Sequence, residues 1–517
     1  MQSNHCLLVI IMINFILHLI GRQTSIQFFT HHKAIKKEKN EDMSCSSVNS
    51  NNTHILVFPY PAQGHILALL DLTHNLALRG LIITIIITPN NLPILKPLLT
   101  THPTTIRTLT LPFPSHPTLP ARVEHVRDVG NIGNYPFINA LSKLQTPIIE
   151  CCRTHTNPPV ALISDFFLGW THQLADQLGI KRIAFQSSSA LLAIIFHRTW
   201  PEAPALRARP VVEFPDLLGA PSFRNEHLPS LLRLYKESES ESEFVRESMI
   251  ANTTKSWGYI FNTSRALEGP YLEHVSKIMG HSRVFGVGPL CLIGVGGGFN
   301  RVDRSPNTGS GNVLEWLDGC EEDGSVLYVC FGSQKLLRKE LMEALAAGLE
   351  RSGTRFVWVV KEATTAEHVE KGYGSVPDGF EDRVLGRGLL VRGWAPQVSI
   401  LGHRAVGGFL SHCGWNSVLE AVAAGVALFG WPMEADQFVN AWWLVEVMGV
   451  AVMVSDGADS LFDPDDLGRV IHQSMGADSI QKERSKALRE EAIKAVGGSG
   501  SSSKELHELV EALKQLK

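Results

Sequence analysis

Between Trp394 and Gln437 the chain reads WAPQVSILGHRAVGGFLSHCGWNSVLEAVAAGVALFGWPMEADQ, and its chemistry is concentrated near the middle. An apolar strand carrying Phe409 and Leu410 runs into a turn of small and polar residues, Ser411 to Asn416, and then into a helical run with Val418, Leu419 and Val422. A strand that enters a helix through a glycine turn presents unpaired backbone N–H groups, and the helix macrodipole adds about half a positive charge there. His412, Asn416 and Ser417 stand beside that N-terminus. Together these groups suit a diphosphate without a lysine: the turn has neither the Gly-Lys-Ser/Thr ending of a P-loop nor the G-x-G-x-x-G of a dinucleotide site. Glu420 lies one turn beyond Asn416 on the same face, where a carboxylate suits a ribose diol, and the indole of Trp394 offers a stacking plate for a base. Singly these signals are weak, because a strand-end Trp usually belongs to a core and a lone His is usually structural. Their joint occurrence carries the weight.

A second constellation lies far upstream. In PYPAQGHILALL, His65 sits where a loop turns into a helix after the first convincing strand, at the carboxyl edge where open α/β sheets bind ligands. An imidazole titrates near neutrality and can take the proton of an acceptor hydroxyl, an effect of about 10²–10⁴-fold. Asp165 ends the strand ALISD at the same edge. A carboxylate on the far imidazole nitrogen would hold the tautomer and stabilise the imidazolium; the competing reading is an N-cap for the helix that follows. The one literal D-x-D, Asp463 to Asp465, reads as an N-cap followed by proline and not as a metal site.

The elements that must position these residues follow from pattern. Apolar strands without polar alternation (HILVFPY, LIITIIIT, PVALISD), each followed by an amphipathic helix, indicate parallel sheet covered on both faces, hence an α/β fold. The alternation restarts at SVLYVCFGS after a Gly-, Ser- and Asn-rich stretch that reads as a linker. With 517 residues, two domains are expected: 54–289, a linker at 290–312, 313–485, and a terminal helical segment 486–517 with a stripe of Leu506, Leu509, Leu513 and Leu516. The regularity lapses over 221–250, where KESESESEF reads as a charged loop or exposed helix end. The apolar run near residue 6 is interrupted by Asn14 and His18 and preceded by no Lys or Arg, which is short for a span and wrong for a signal. Met43 is therefore read as the working start, with 1–53 a leader outside the fold.

Composition narrows the partner. A formal charge of -4 creates no field for nucleic acid or acidic lipid, so a small molecule is expected and no membrane association. Eight Cys (6, 45, 151, 152, 291, 320, 330, 413) show no C-x-x-C pair and no metal-ligand spacing, which reads as reduced thiols in a cytoplasmic protein.

The 44-residue stretch Trp394 to Gln437 resembles, over its full length, the signature of plant family-1 uridine-diphosphate (UDP) glycosyltransferases, and the chain from about 54 onward is similar to that family in order and length. The resemblance implies a GT-B fold: two Rossmann-like domains facing across a cleft, nucleotide on the second, acceptor on the first, and a last helix crossing back. It implies that Trp394 stacks on uracil with Ala395 and Gln397 beside base and ribose, that Glu420 binds the ribose, that His412, Asn416 and Ser417 hold the diphosphate with Ser333 nearby, and that Trp415 also belongs to the nucleotide-sugar site. Asp436 and Gln437 would contact the sugar, Ser187 would reach the donor, and His65 with Asp165 would form the catalytic dyad. No metal or other cofactor is implied. The expected partners are UDP-glucose, because a Gln at the last signature position accompanies glucose donors in relatives, and a lipophilic hydroxylated acceptor of flavonoid type. The protein is expected to act as a monomer. Trp442-Trp443 departs from the pattern, being bulky where relatives often carry small or aliphatic residues. Two other classes stay open at this stage: an NAD-dependent oxidoreductase, although the three spaced glycines are missing, and a non-catalytic sugar-nucleotide binder, although both dyad residues are present.

Overall fold

The computed structural model describes residues 53–293 and 310–516, apart from Arg207, Ser333, Gln334 and Thr364, and only the backbone of 310–312. The leader expected at 1–53 falls, save for Thr53, outside the described residues, and so does 294–309 of the expected linker. The linker is shorter than expected at both ends: Leu290–Leu292 is a 3₁₀ turn and a helix already begins in Ser310–Asp318.

The first sheet contains β1 (His54–Phe58), β2 (Ile82–Ile87), β3 (Ile106–Thr110), β4 (Ala161–Asp165), β5 (Lys181–Gln186), β8 (Gly258–Phe261) and β9 (Val284–Gly286). Between β5 and β8, the strands β6 (Val211–Glu213) and β7 (Ser222–Arg224) form a separate antiparallel hairpin. The main order is β3-β2-β1-β4-β5-β8-β9, with every pairing parallel. The β1 side chains alternate between two cores: Ile55 and Val57 enter one with Leu69, Leu72 and Leu76 of the following helix, and Leu56 and Phe58 enter the other with Leu162 and Phe166. A strand buried on both faces has no polar period, which is why the sequence reads as an unbroken apolar run.

The second sheet contains β10 (Val326–Cys330), β11 (Arg355–Val360), β12 (Gly388–Arg392), β13 (Val406–Ser411), β14 (Ala427–Gly430) and β15 (Ala451–Met453), ordered β12-β11-β10-β13-β14-β15 and again parallel throughout. In each sheet the strand order reverses direction at one place, between β1 and β4 in the first and between β10 and β13 in the second. The crevice outside the carboxyl ends of such a pair is where open α/β sheets place ligands. His65 follows β1 and Asp165 ends β4; His412 follows β13, and Gly332 follows β10.

One detail corrects the expected boundaries: one continuous helix, Ile480–Val496, runs straight through the anticipated division at 485/486. Of the two readings of the charged stretch 236–244, loop or helix end, the structure shows a helix end, because the helix Ser240–Thr254 starts inside it. Glu241 and Glu243 occupy its first turn, where the macrodipole favours acids, and Glu241 reaches His116 Nε2 at 3.0 Å. The final helix, Ser501–Lys514, lays Leu506, Leu509, Val510 and Leu513 into the first-sheet core beside Ile260 and Phe285, while Glu505 accepts from the Gly286 N–H and pairs with Arg265. Among the described residues no helix is long and apolar enough to cross a membrane.

Candidate active site

Parallel pairing of β1 with β4, Phe58 opposite Ser164, brings the chain that follows β1 beside the end of β4. The helix Gln63–Ala77 begins there, so His65 lies in its first turn. Its Nδ1 stands 2.9 Å from Asp165 Oδ2. Asp165 is wholly buried, and its other oxygen, Oδ1, accepts the N–H of Phe167 at 2.9 Å. The two contacts weighed from sequence, one to the imidazole and one capping the following turn, are thus both present, one on each oxygen. Phe166 stacks on the His65 ring at 5.3 Å and 12°, with Phe167 at 4.7 Å and Tyr60 at 5.4 Å between centroids. Beside these rings the imidazole lines a cavity of about 300 Å³ that residues at the carboxyl edges of both sheets share.

Arg182 lies behind Asp165, buried, donating to Ser164 Oγ (3.0 Å), Ser256 Oγ (2.6 Å) and the Asp165 carbonyl (3.5 Å). Burial lowers its guanidinium to about 10, so it stays charged at neutral pH and supplies a fixed positive charge beneath the buried carboxylate.

Across the cavity, β13 enters the helix Trp415–Ala424 through the turn 412–414. His412 is threaded between two glycines. A Cβ on Gly332, whose φ is +74°, would come within 2.8 Å of His412 Nε2, and one on Gly414 within 2.6 Å. Enclosure holds the imidazole well below its usual range, near 4, hence neutral under ordinary conditions. Its Nδ1 is buried with no hydrogen-bond partner among the described residues.

His412, Trp415, Asn416, Ser417, Glu420, Asp436 and Gln437 all line the same cavity as His65 and Ser187. Several are already engaged in ways that sequence spacing does not reveal. The Trp415 indole N–H donates to the Asn262 carbonyl at 2.9 Å, so this side chain braces the two lobes and leaves only its backbone for a ligand. Asn416 Nδ2 donates to the Gly64 carbonyl at 2.8 Å, fastening the turn to the residue before His65. Gln437 Oε1 accepts from the N–H groups of Met433 (2.9 Å) and Glu434 (3.0 Å), so its amide can face the cavity only as a donor.

Trp394, Ala395 and Gln397 do not line the cavity. Trp394 is 38% exposed, neither a core residue nor part of the cavity wall. Ala395 is buried, and Gln397 acts on the wall from behind, donating from Nε2 to Glu420 Oε2 (2.7 Å) and Ser417 Oγ (3.1 Å). Ser333 lies outside the described residues. The bulky Trp442 and Trp443 stay out of the cavity: Trp443 is buried against Trp415 at 5.5 Å between centroids, and Trp442 meets Phe223 edge-on at 6.0 Å. Asp463 caps the helix Pro464–Met475 by accepting from Asp465 N, as expected.

Glu268 had no sequence signal. Completely buried, it accepts the N–H groups of Ala190 (2.9 Å) and Leu191 (3.1 Å) and so anchors the helix Ala190–Thr199, whose leading loop carries Ser187 and Ser188. Burial raises its carboxyl to about 7, against the two backbone bonds that favour the anion. A folded value above the unfolded one of about 4.3 means that the native state holds the proton more tightly. The stabilisation is complete below the unfolded value and is lost as pH rises through about 7. The melting-temperature advantage of wild type over Glu268→Gln is therefore expected to shrink between pH 4.5 and 7.5, by thermal denaturation across that range; an advantage that grows with pH would contradict it.

Residues 295–463 match the profile of the family described as UDP-glucoronosyl and UDP-glucosyl transferase. The chain is 48% identical to UDP-glycosyltransferase 89A2 of Arabidopsis thaliana over 91% of its own length and 98% of that protein's. It belongs to the plant UDP-glycosyltransferases. This excludes the oxidoreductase reading, and the chain is accordingly an enzyme that transfers a sugar from a UDP donor. A flavonol 3-O-glucosyltransferase of the same plant, UGT89B1, is 45% identical over 88% of this chain and 94% of its own. Among solved structures, Arabidopsis thaliana UGT89C1 complexed with UDP-L-rhamnose superposes with a TM-score of 0.73 at 35% identity, covering 90% of this chain and 99% of that one. The fold of this glycosyltransferase is thus GT-B, with its two Rossmann-like lobes built on the two sheets.

Proposed function

We propose that this glycosyltransferase moves glucose from UDP-glucose to a hydroxyl of a lipophilic phenolic acceptor in one inverting displacement. The observation that carries the reading is the opening of the His65–Asp165 pair and of the 412–417 turn onto a single cavity from opposite lobes. His65 Nε2 takes the acceptor proton as the oxygen attacks the anomeric carbon, and Asp165, which fixes the proton on Nδ1, stabilises the imidazolium that forms. The UDP oxygens leave toward His412, Ser417 and the N-terminus of the Trp415–Ala424 helix, where the macrodipole and backbone N–H groups meet their charge. Glu420 is the ribose ligand, oriented by Gln397. Trp394 is the uracil plate, a role its exposure leaves available. The reading assigns no step to a metal or other cofactor.

Phe166, Phe167, Leu192 and Phe196 wall the cavity on the His65 side, which suits a flat apolar acceptor with its hydroxyl turned to the imidazole. Six described cysteines are free thiols, which fits the reducing cytosol, where we place the enzyme.

Glucose is preferred because Asp436 offers an acceptor and Gln437 a donor to neighbouring equatorial hydroxyls, whereas an axial 4-hydroxyl would leave a polar group unpaired. That costs about 1–3 kcal/mol, or roughly 5- to 150-fold in selectivity. Xylose, which lacks only the 6-hydroxymethyl, should be tolerated. The solved relative with bound UDP-L-rhamnose makes rhamnose the competitor to exclude. Purified enzyme given equimolar UDP-glucose, UDP-galactose, UDP-xylose and UDP-rhamnose with a phenolic acceptor is expected to form mainly the glucoside; equal or better kcat/KM with galactose or rhamnose donors would refute the assignment.

A further inference from the structure

We propose that Asn134 is a specificity-determining residue for the acceptor, selecting phenols that carry a second oxygen able to accept a hydrogen bond without donating one, a ketone above all; this rests on reading the cavity as the site of glycosyl transfer to a phenol. Asn134 opens the helix Asn134–Ser142 and lines the cavity from the same lobe as His65. The end of its amide that meets a ligand is chosen from behind. Tyr60 is wholly buried, and its hydroxyl stands 2.7 Å from Asn134 Oδ1, with no other hydrogen bond among the described residues. A hydroxyl carries one proton, and leaving it unpaired in so enclosed a place is costly. Tyr60 therefore donates, and the Asn134 oxygen is occupied.

The NH₂ end is only lightly engaged. Asn131 Oδ1 lies 3.4 Å from Asn134 Nδ2, at the outer limit of a hydrogen bond, and takes one of its two protons. The other has no partner among the described residues, so Asn134 meets a ligand as a donor. The side chains of Val126, Phe166, Phe167, Leu192, Phe196 and Leu231, which line the cavity from the same lobe, offer a ligand no hydrogen bond. Tyr60 also packs edge-on against the His65 ring at 5.4 Å between centroids, so the base and the amide donor hang on one rigid scaffold at a set separation. A bound phenol is thus read at two points: His65 accepts from the reacting hydroxyl, and Asn134 donates to an oxygen elsewhere on the molecule. A ketone meets that donor with its lone pairs and has no proton of its own to leave stranded. A methylene in its place leaves the amide proton unpaired.

Hydroxybenzophenones and benzylphenols test this, because each pair differs only by C=O against CH₂, and the ortho, meta and para isomers vary the distance from hydroxyl to ketone. The readout is the ketone-to-methylene ratio of kcat/KM for the isomer with the largest ratio in wild type, using the UDP-sugar that wild type turns over best. Intrinsic reactivity of the phenols cancels when the ratios of wild type and variant are compared. The double variant Asn134→Leu with Tyr60→Phe replaces both hydrogen-bonding partners by apolar groups of similar shape, which leaves neither stranded. Its ratio should narrow about tenfold, with UDP affinity by calorimetry within about twofold of wild type, since the 412–417 turn is on the other lobe. Tyr60→Phe alone keeps the amide and frees it to turn, so the ratio should narrow at least about threefold. Should the double variant fail to fold and bind UDP, the single variant is decisive. An unchanged ratio in the variants that bind UDP would overturn the proposal. Failure of wild type to glycosylate any of these phenols would instead overturn the reading of the cavity as a phenol site, and the proposal with it.

Discussion

Replacing His65 with alanine is expected to lower turnover by at least about a hundredfold while UDP affinity stays within about twofold of wild type. The separation of effects follows from the architecture. His65 is placed by β1 and the helix Gln63–Ala77 of the first lobe, whereas the 412–417 turn, Glu420 and Gln397 belong to the second. Alanine also removes the ring held among Tyr60, Phe166 and Phe167, but at a partly exposed position of a first helical turn it leaves the backbone bond from His65 N to Ala62 O in place. The measurement is single-substrate kinetics beside calorimetry with UDP. Wild-type-like turnover would refute the base assignment.

Asp165→Asn is expected to reduce kcat by on the order of 10²–10⁴-fold with the fold retained. Asparagine is nearly isosteric and can keep its carbonyl oxygen on Phe167 N, which leaves its NH₂ facing His65 Nδ1. A donor at that place requires Nδ1 to be an acceptor, so the neutral ring carries its proton on Nε2 and cannot take one from the substrate there. The buried Arg182 remains charged and loses its nearest anion, so a lower melting temperature is expected alongside the kinetic loss. A variant that melts lower but keeps kcat within threefold of wild type would show Asp165 to be a cap alone.

The fold and the strand–turn–helix unit at 409–425 were readable in the sequence because they are local. A strand, a glycine turn and a helix within Phe409 to Gly425 state their geometry in seventeen consecutive letters, and the apolar runs of β1 and β4 state that both faces are covered. What the sequence hid is contact across the cleft. The bonds Asn416 to Gly64, Trp415 to Asn262 and Ser188 to Asp436 join residues 352, 153 and 248 positions apart, and neither period nor spacing encodes them. Gln437 shows the same limit in another form. Its residue type promises both a donor and an acceptor, and only the three-dimensional turn at Met433 and Glu434 reveals that the acceptor is occupied. Glu268 was invisible because nothing in EGPY marks a carboxylate destined to cap a helix 78 residues upstream.

The return of the last helix to the first sheet sets the order in which this protein can be completed on the ribosome. The lobe that is synthesised first keeps a gap in its core that only Leu506, Leu509, Val510 and Leu513 fill, and Ser502 Oγ closes the junction by donating to the Gly288 carbonyl at 2.6 Å. Those residues emerge after the entire second lobe. Nascent chains therefore carry an unsealed apolar face on the first lobe throughout translation of the second, although domains ordinarily fold in sequence from the N-terminus. The first lobe's core is completed only in one terminal event, and a ribosome that stops short of residue 501 releases a first lobe with its core still open.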